Sequence, residues 1–193
     1  MIILPIEVWQ LILNQSVLPT QLALISICRL FYRRLKIIDF YHIDKYYQRI
    51  LNDDILKRYP HIKYLNAAEN DDITDQGLKH LNLEILDASN NDDITDEGIG
   101  HMNLHTLIAS DNQNITDQGI KHLNLCSLVI SWNCKITDQG IKHMNLRALD
   151  ARGNRNITDE GIKHMNLHIL FAGNGCEISD DGLVSLYILS LLA

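Results

Sequence analysis

From Ile73 onward the apolar positions of the chain recur every 21 residues without insertion. Leu83, Leu104, Leu125, Leu146 and Leu167 form one column, and Leu86, Leu107, Leu128, Leu149 and Leu170 a second one three residues further on. A small-residue column follows, Ala88, Ala109, Ile130, Ala151 and Ala172, then Ile94, Ile115, Ile136, Ile157 and Ile178. Two more complete the set: Leu78, Ile99, Ile120, Ile141, Ile162 and Leu183, and Leu81, Met102, Leu123, Met144, Met165 and Leu186. A short fixed period predicts a solenoid, whose units bury their apolar faces only against their neighbours. With each buried Leu or Ile contributing roughly 1.5–3 kcal/mol, the six columns predict one continuous core that no single unit could build.

Within a unit the order is L-x-x-L-x-A-x-x-N-x-x-I-T-D-x-G-I-x-x-[LM]-x, the spelling of a leucine-rich repeat. Leu-x-x-Leu-x-Ala predicts a short strand, and strands 21 residues apart are expected to pair in parallel along a concave face. Asn70, Asn91, Asn112, Asn133 and Asn154 are expected to turn inward and bond backbone groups at the bend, with Gly175 and Asn174 disturbing this ladder in the last unit. Thr74, Thr95, Thr116, Thr137, Thr158 and Ser179 are candidate caps of short convex helices. Gly77, Gly98, Gly119, Gly140, Gly161 and Gly182 fall inside those helices, at a cost of ~0.8–1.0 kcal/mol each relative to alanine. Either close approach of the next coil or a positive φ must compensate.

The N-terminal third reads differently. Pro5 suits a first helical turn, and Ile6, Val8, Trp9, Ile12 and Leu13 continue it; after Leu18-Pro19-Thr20, the dense apolar run from Leu22 to Leu35 predicts two short packed helices. Further helices are expected over Asp39–Leu51 and over Asp54–Arg58, the latter capped by Asp54 and ended by Pro60. Ile62–Ala67 matches the strand half of a unit, so the repeat array is expected to start at about Ile62. At the other end Leu183, Leu186, Ile188, Leu189, Leu191 and Leu192 are expected to fold over the last coil as a cap.

Charge sharpens the division. Residues 1–60 hold eight Lys and Arg against five Asp and Glu, net +3, whereas residues 61–193 hold nine against nineteen, net −10. An acidic repeat surface argues against nucleic acid as a partner. The start of the chain lacks the features of a secretory signal, and no run approaches the ~20 apolar residues of a membrane span. Cys28, Cys126, Cys134 and Cys176 form no C-x-x-C pair, which favours free thiols in a reducing intracellular setting, cytoplasmic or nuclear.

Catalytic and metal signals are weak. The histidine column His80, His101, His122, His143 and His164 recurs with the repeat and has no recurring acidic or thiol neighbour, so a surface or helix-end role is expected. The acidic turns Asn70-Asp71-Asp72 and Asn91-Asp92-Asp93 are not repeated later and lack a closing Glu, which argues against calcium. Every Asp or His candidate is a repeat-copied residue, so a non-enzyme without cofactors is expected. The positions that differ from unit to unit face out of the concave sheet, because side chains alternate along a strand. Ile85, Ile108, Val129, Phe171 and Trp132 are expected to be exposed there, bordered by Asp87, Asp150 and Arg152. Such a patch marks a protein contact surface, with these eight residues as candidate target contacts.

LPIEVWQLILNQSVLPTQLALISICRLFYRRL resembles an F-box at Leu4-Pro5, Glu7-Val8, Ile12-Leu13, Leu22, Leu24, Ser26, Cys28-Arg29, Phe31 and Leu35. Followed by units of this spelling, the whole chain resembles F-box/leucine-rich-repeat proteins with cysteine-containing-type repeats, a kind also seen in amoebae and their giant viruses. The resemblance implies an F-box-like helical domain over 1–36, a helical linker and cap over 37–60, and a repeat arc of six strands with a degenerate last unit over 61–193. It further implies a substrate-receptor subunit of a Skp-cullin-F-box ubiquitin ligase, binding the Skp adaptor through Leu4, Pro5, Val8, Ile12, Leu22, Leu24, Cys28 and Phe31 and a target protein through the concave face. The alternative is a non-catalytic scaffold whose N-terminal helices only cap the solenoid.

Overall fold

The computed structural model describes residues 37–42, 45–184 and 190–192, together with Gln10. Its frame is an eight-stranded parallel sheet in sequential order. The strands are β1 (Asp39–Phe40), β2 (Tyr64–Asn66), β3 (Ile85–Asp87), β4 (Thr106–Ile108), β5 (Ser127–Val129), β6 (Ala148–Asp150), β7 (Ile169–Phe171) and β8 (Ser190–Leu192). From β2 to β8 the register advances by one repeat, so that Leu65, Leu86, Leu107, Leu128, Leu149, Leu170 and Leu191 are Cα partners in turn. The chain between strands winds across the convex side, where the helices Asp75–Leu78, Asp96–Ile99, Asp117–Ile120, Asp138–Ile141, Asp159–Ile162 and Asp180–Val184 stack on one another. The core lies between, and the described members of the six apolar columns are buried apart from the half-buried Ile178 and Leu183 at the C-terminal side.

Helices of four residues have too little internal hydrogen bonding to persist alone, and side chains from adjacent coils complete them. Thr116 accepts the Gln118 N–H through Oγ at 3.2 Å, capping its own helix. The same residue donates its backbone N–H to Asp96 Oδ1 at 2.7 Å and its hydroxyl to Asp96 Oδ2 at 2.6 Å. This two-bond clasp recurs from Asp53–Thr74 to Asp159–Ser179. It explains the helical glycines, which have no positive φ. A Cβ on Gly119 would lie 2.3 Å from Asp96 Oδ1, and its counterparts at the other five positions would lie 2.1–2.3 Å from the equivalent oxygen. Glycine is thus required by the approach of the preceding coil.

A second ladder runs beneath the turns. Asn112 Nδ2 donates to the carbonyls of Ala88, Asn91 and Ile94, while its Oδ1 accepts from the N–H groups of Asn114 and Ile115. Asn91 makes the equivalent set, and Asn70 and Asn154 parts of it. Asn133 departs from the expected inward position. It is exposed and donates to Asp111 Oδ1 at 2.9 Å, whereas Cys134 is buried. The Cys134 sulfur takes hydrogen bonds from the backbone of Lys135 and Ile136, a smaller group doing the acceptor work of the amide. Burial pushes this thiol up from the ordinary 9.0 to about 11, against the lowering effect of those bonds. Cys176, two units later, accepts the Gly173 N–H at 3.0 Å. The last unit is therefore irregular as expected.

The sheet also starts earlier than the sequence pattern indicates. The segment expected to be one helix over 39–51 instead opens with β1, which pairs with β2, and is helical only over Lys45–Gln48. Asp39 Oδ1 accepts the N–H groups of Tyr41 and His42, a turn that opposes helix, and Phe40 enters the core against Tyr59. The next helix is Asp53–Leu56, capped by Asn52 and not Asp54: Asn52 Oδ1 accepts the Ile55 N–H. Asp53 then supplies the first clasp. This coil spans 25 residues between Cα partners, Asp39 to Tyr64, so the 21-residue period conceals it. At the far end β8 prolongs the ladder in register, so Ser190–Leu192 adds a strand and does not fold over the last coil; Leu186, Ile188 and Leu189 lie outside the described residues. The ladder accordingly has eight strands where six were expected.

Candidate protein-interaction surface

In each of β2 to β5 the middle residue is buried and its two neighbours are half-exposed, so the outward columns are those the strand alternation predicts. Ile85, Asp87, Ile108, Val129, Asp150 and Phe171 all stand in these columns, and Trp132 and Arg152 follow at the turn above. The apolar members are less exposed than expected. Ile85, Ile108, Val129 and Phe171 are half-buried, because parallel partners such as Ile108 and Val129 lie side by side, one strand spacing or about 4.8 Å apart. Trp132 alone of the eight is a largely exposed apolar group, at 49%. Ile169, absent from the expected set, is also exposed; its place in the column of Tyr64 and Ile85 could have revealed it.

Trp132 is held in an unusual way. It has φ 65°, in the left-handed region that Glu69, Asn90, Asp111, Gly153 and Asn174 occupy at the equivalent turns. A bulky aromatic there is strained by about 1–2 kcal/mol, which Asn, Asp or Gly would largely avoid. Its ring rests on the backbone of Gly153, where a Cβ would come within 2.6 Å of the indole. Strain retained at one exposed residue points to a use for the side chain.

Beside it, Asp150 and Arg152 are locked together. Arg152 Nη2 donates to Asp150 Oδ2 at 2.6 Å and Nε donates to Oδ1 at 3.0 Å, a bidentate geometry that leaves Asp150 only 7% exposed. Asp150 raises the pKa of this guanidinium further, first through the hydrogen bond and then through its charge. Arg152 Cζ also stands 5.1 Å from the centre of the Phe171 ring, so the pair and the aromatic form one rigid cluster. Asp150 was expected at the rim of the patch. It is instead a buried support for Arg152.

The convex side contrasts with this. His101 and His164 turn a ring nitrogen toward the carbonyls of Leu81 and Met144 in the preceding coil, the helix-end role expected of that column. Among the described residues no group of His, Cys, Asp and Glu could hold a metal ion, and no helix is long and apolar enough to cross a membrane. Leu4, Pro5, Val8, Ile12, Leu22, Leu24, Cys28 and Phe31 lie outside the described residues.

Residues 79–100, 121–144 and 142–165 match the family described as Leucine Rich repeat. No curated protein matches the chain. Each matched segment runs from the end of one convex helix through a strand to the next helix, so the match and the coil geometry coincide. The described residues form an α/β leucine-rich-repeat solenoid.

Proposed function

We propose that the chain is a non-catalytic recognition subunit that holds a target protein on its concave face, around Trp132, Arg152, Ile108 and Val129. One observation carries the reading: the convex surface is copied from coil to coil, while the concave one is not, and a non-repeating partner can be specified only by a non-repeating surface. Trp132 and Arg152 are the residue types that most often dominate binding energy, and here both are pre-positioned, one on Gly153 and the other by Asp150. The F-box resemblance of residues 1–36 supports the finer assignment, a substrate receptor that meets the Skp adaptor of a cullin ubiquitin ligase through Leu4, Pro5, Val8, Ile12, Leu22, Leu24, Cys28 and Phe31.

Two measurements test the two halves separately. Purified Skp adaptor is expected to bind the full chain at micromolar concentration and to lose binding with Leu4→Ala/Pro5→Ala and with Leu22→Asp; no binding of the wild type would leave the helices as a cap on a plain repeat scaffold. For the concave half, a captured target should be lost with Ile108→Asp/Val129→Asp and kept with the convex pair Lys121→Glu/Lys142→Glu. Trp132→Asn is the sharper variant, since Asn already occupies this turn conformation at positions 90 and 174. It should keep the melting temperature within a few degrees while weakening the target by about 2 kcal/mol, roughly thirtyfold. Loss with the convex pair and retention with the concave changes would reverse the assignment.

A further inference from the structure

We propose that the segment recognised by the concave face is basic as well as apolar: an extended stretch of a partner protein with Lys or Arg two or three residues from an aliphatic or aromatic anchor. The inference rests on the concave face being the binding site and adds the chemistry of its occupant. Among the described residues five carboxylates stand on this face or its upper rim, and three have a basic side chain nearby. Asp150 is paired with Arg152, Asp39 lies 2.8 Å from the His42 ring, and Glu69 shares a hollow with Lys45 and Arg49. Asp87 and Asp111 differ. Among the described residues they have only neutral partners: the Ser89 N–H and hydroxyl for one, Asn133 for the other, all on Oδ1. The Asp87 charge is felt locally, since the Tyr41 hydroxyl is raised above its usual pKa by burial first and then by Asp87.

The placement of these two carboxylates supplies the spacing. Asp87 is the strand partner of Ile108, which is in turn the partner of Val129. Asp111 stands one repeat before Trp132 in the left-handed column at the rim. Both rows therefore run carboxylate first and apolar group next, in the same direction across the sheet. Strands lie about 4.8 Å apart, so each charge is one or two strand spacings, about 5–10 Å, from its apolar neighbours. An extended segment advances ~3.4 Å per residue, so two or three residues separate a cation over Asp87 or Asp111 from an anchor over Val129 and Trp132. An acidic segment would meet two uncompensated carboxylates and is disfavoured.

The test is selection of a random dodecapeptide library, displayed on phage, against the full chain, followed by affinity measurement with synthetic peptides of the selected consensus. Peptides carrying Lys or Arg two or three positions from Leu, Ile, Phe or Trp are expected. Asp87→Asn/Asp111→Asn, which retains the Oδ1 acceptors and hence the fold, should weaken them about tenfold or more, and Asp87→Lys/Asp111→Lys should shift selection toward acidic peptides. Affinity should fall as salt rises. Uncharged or acidic consensus peptides that still require Trp132 would overturn the basic occupant while leaving the concave site standing. Basic peptides indifferent to both the Asp changes and Trp132→Asn would remove the site itself. No enrichment at all would exclude a short linear segment as the occupant.

Discussion

Gly119→Ala isolates the feature that ties one coil to the next. The added Cβ would fall 2.3 Å from Asp96 Oδ1, 2.9 Å from its Cγ and 3.0 Å from its Cα. Because the last of these is backbone, turning the carboxylate aside does not open enough room, and the carboxylate can turn only by releasing Thr116. Two hydrogen bonds to a charged acceptor would be lost, each contributing about 1.5–3 kcal/mol. Alanine returns ~0.8–1.0 kcal/mol of helix propensity. The expected net loss is therefore about 2–5 kcal/mol, read as a lower urea midpoint at unchanged m. Gly100→Lys is the matched control: Gly100 ends its helix at φ −61°, and lysine fills the equivalent place at Lys79, Lys121, Lys142 and Lys163. That change should be close to neutral, within about 1 kcal/mol, because the gain in helix propensity is set against a Cβ 2.9 Å from the Asp96 carbonyl oxygen of its own helix. With Asp96→Ala the clasp and the carboxylate are already gone and only the backbone contact at 3.0 Å remains, so Gly119→Ala added to it should cost much less than it does alone. A stable Gly119→Ala single variant, or additive losses in the double variant, would refute the clasp as the reason for glycine.

Asn112→Leu should cost at least about 3 kcal/mol, since three carbonyls and two N–H groups lose their partner, whereas Asn133→Leu should cost under about 0.5 kcal/mol at an exposed position. Equal midpoints in urea would restore an inward Asn133. The Cys134 thiol, held at about 11 in the fold against an ordinary 9.0, keeps its proton in the native state where the unfolded chain loses it. Stability should hence fall as pH rises from about 9 to about 11 and level off above, and Cys134→Ala should flatten this part of the profile. An unchanged pH profile in the variant would refute the buried thiol.

Much of the solenoid was legible because its causes are local and repeated. A 21-residue period with Leu, Ile and Met in fixed columns leaves one way to bury them, and the alternation of a three-residue strand then assigns Ile108 and Val129 to the concave face and Leu107 and Leu128 to the core. Thr116 as a cap follows from its place before Asp-x-Gly. Where the period fails, sequence reading failed with it. Phe40 and Asp53 belong to a full coil of the sheet, but 25 residues separate β1 from its partner, so they fall outside the 21-residue period.

Sequence by itself determined which residues share a column, which columns are copied and which vary from coil to coil. The tertiary structure alone decided what the copies are for. Asp96 and Gly119 are 23 positions apart and meet only when coils stack, so no local rule connects them. Asn133 and Cys134 are neighbours that both suit the inward site, and the folded turn buries the sulfur and leaves the amide exposed. Trp132 acquired its meaning in the same way: its strain, its exposure and its seat on Gly153 depend on a backbone angle and on the next coil, neither of which is written in the identity of a single residue.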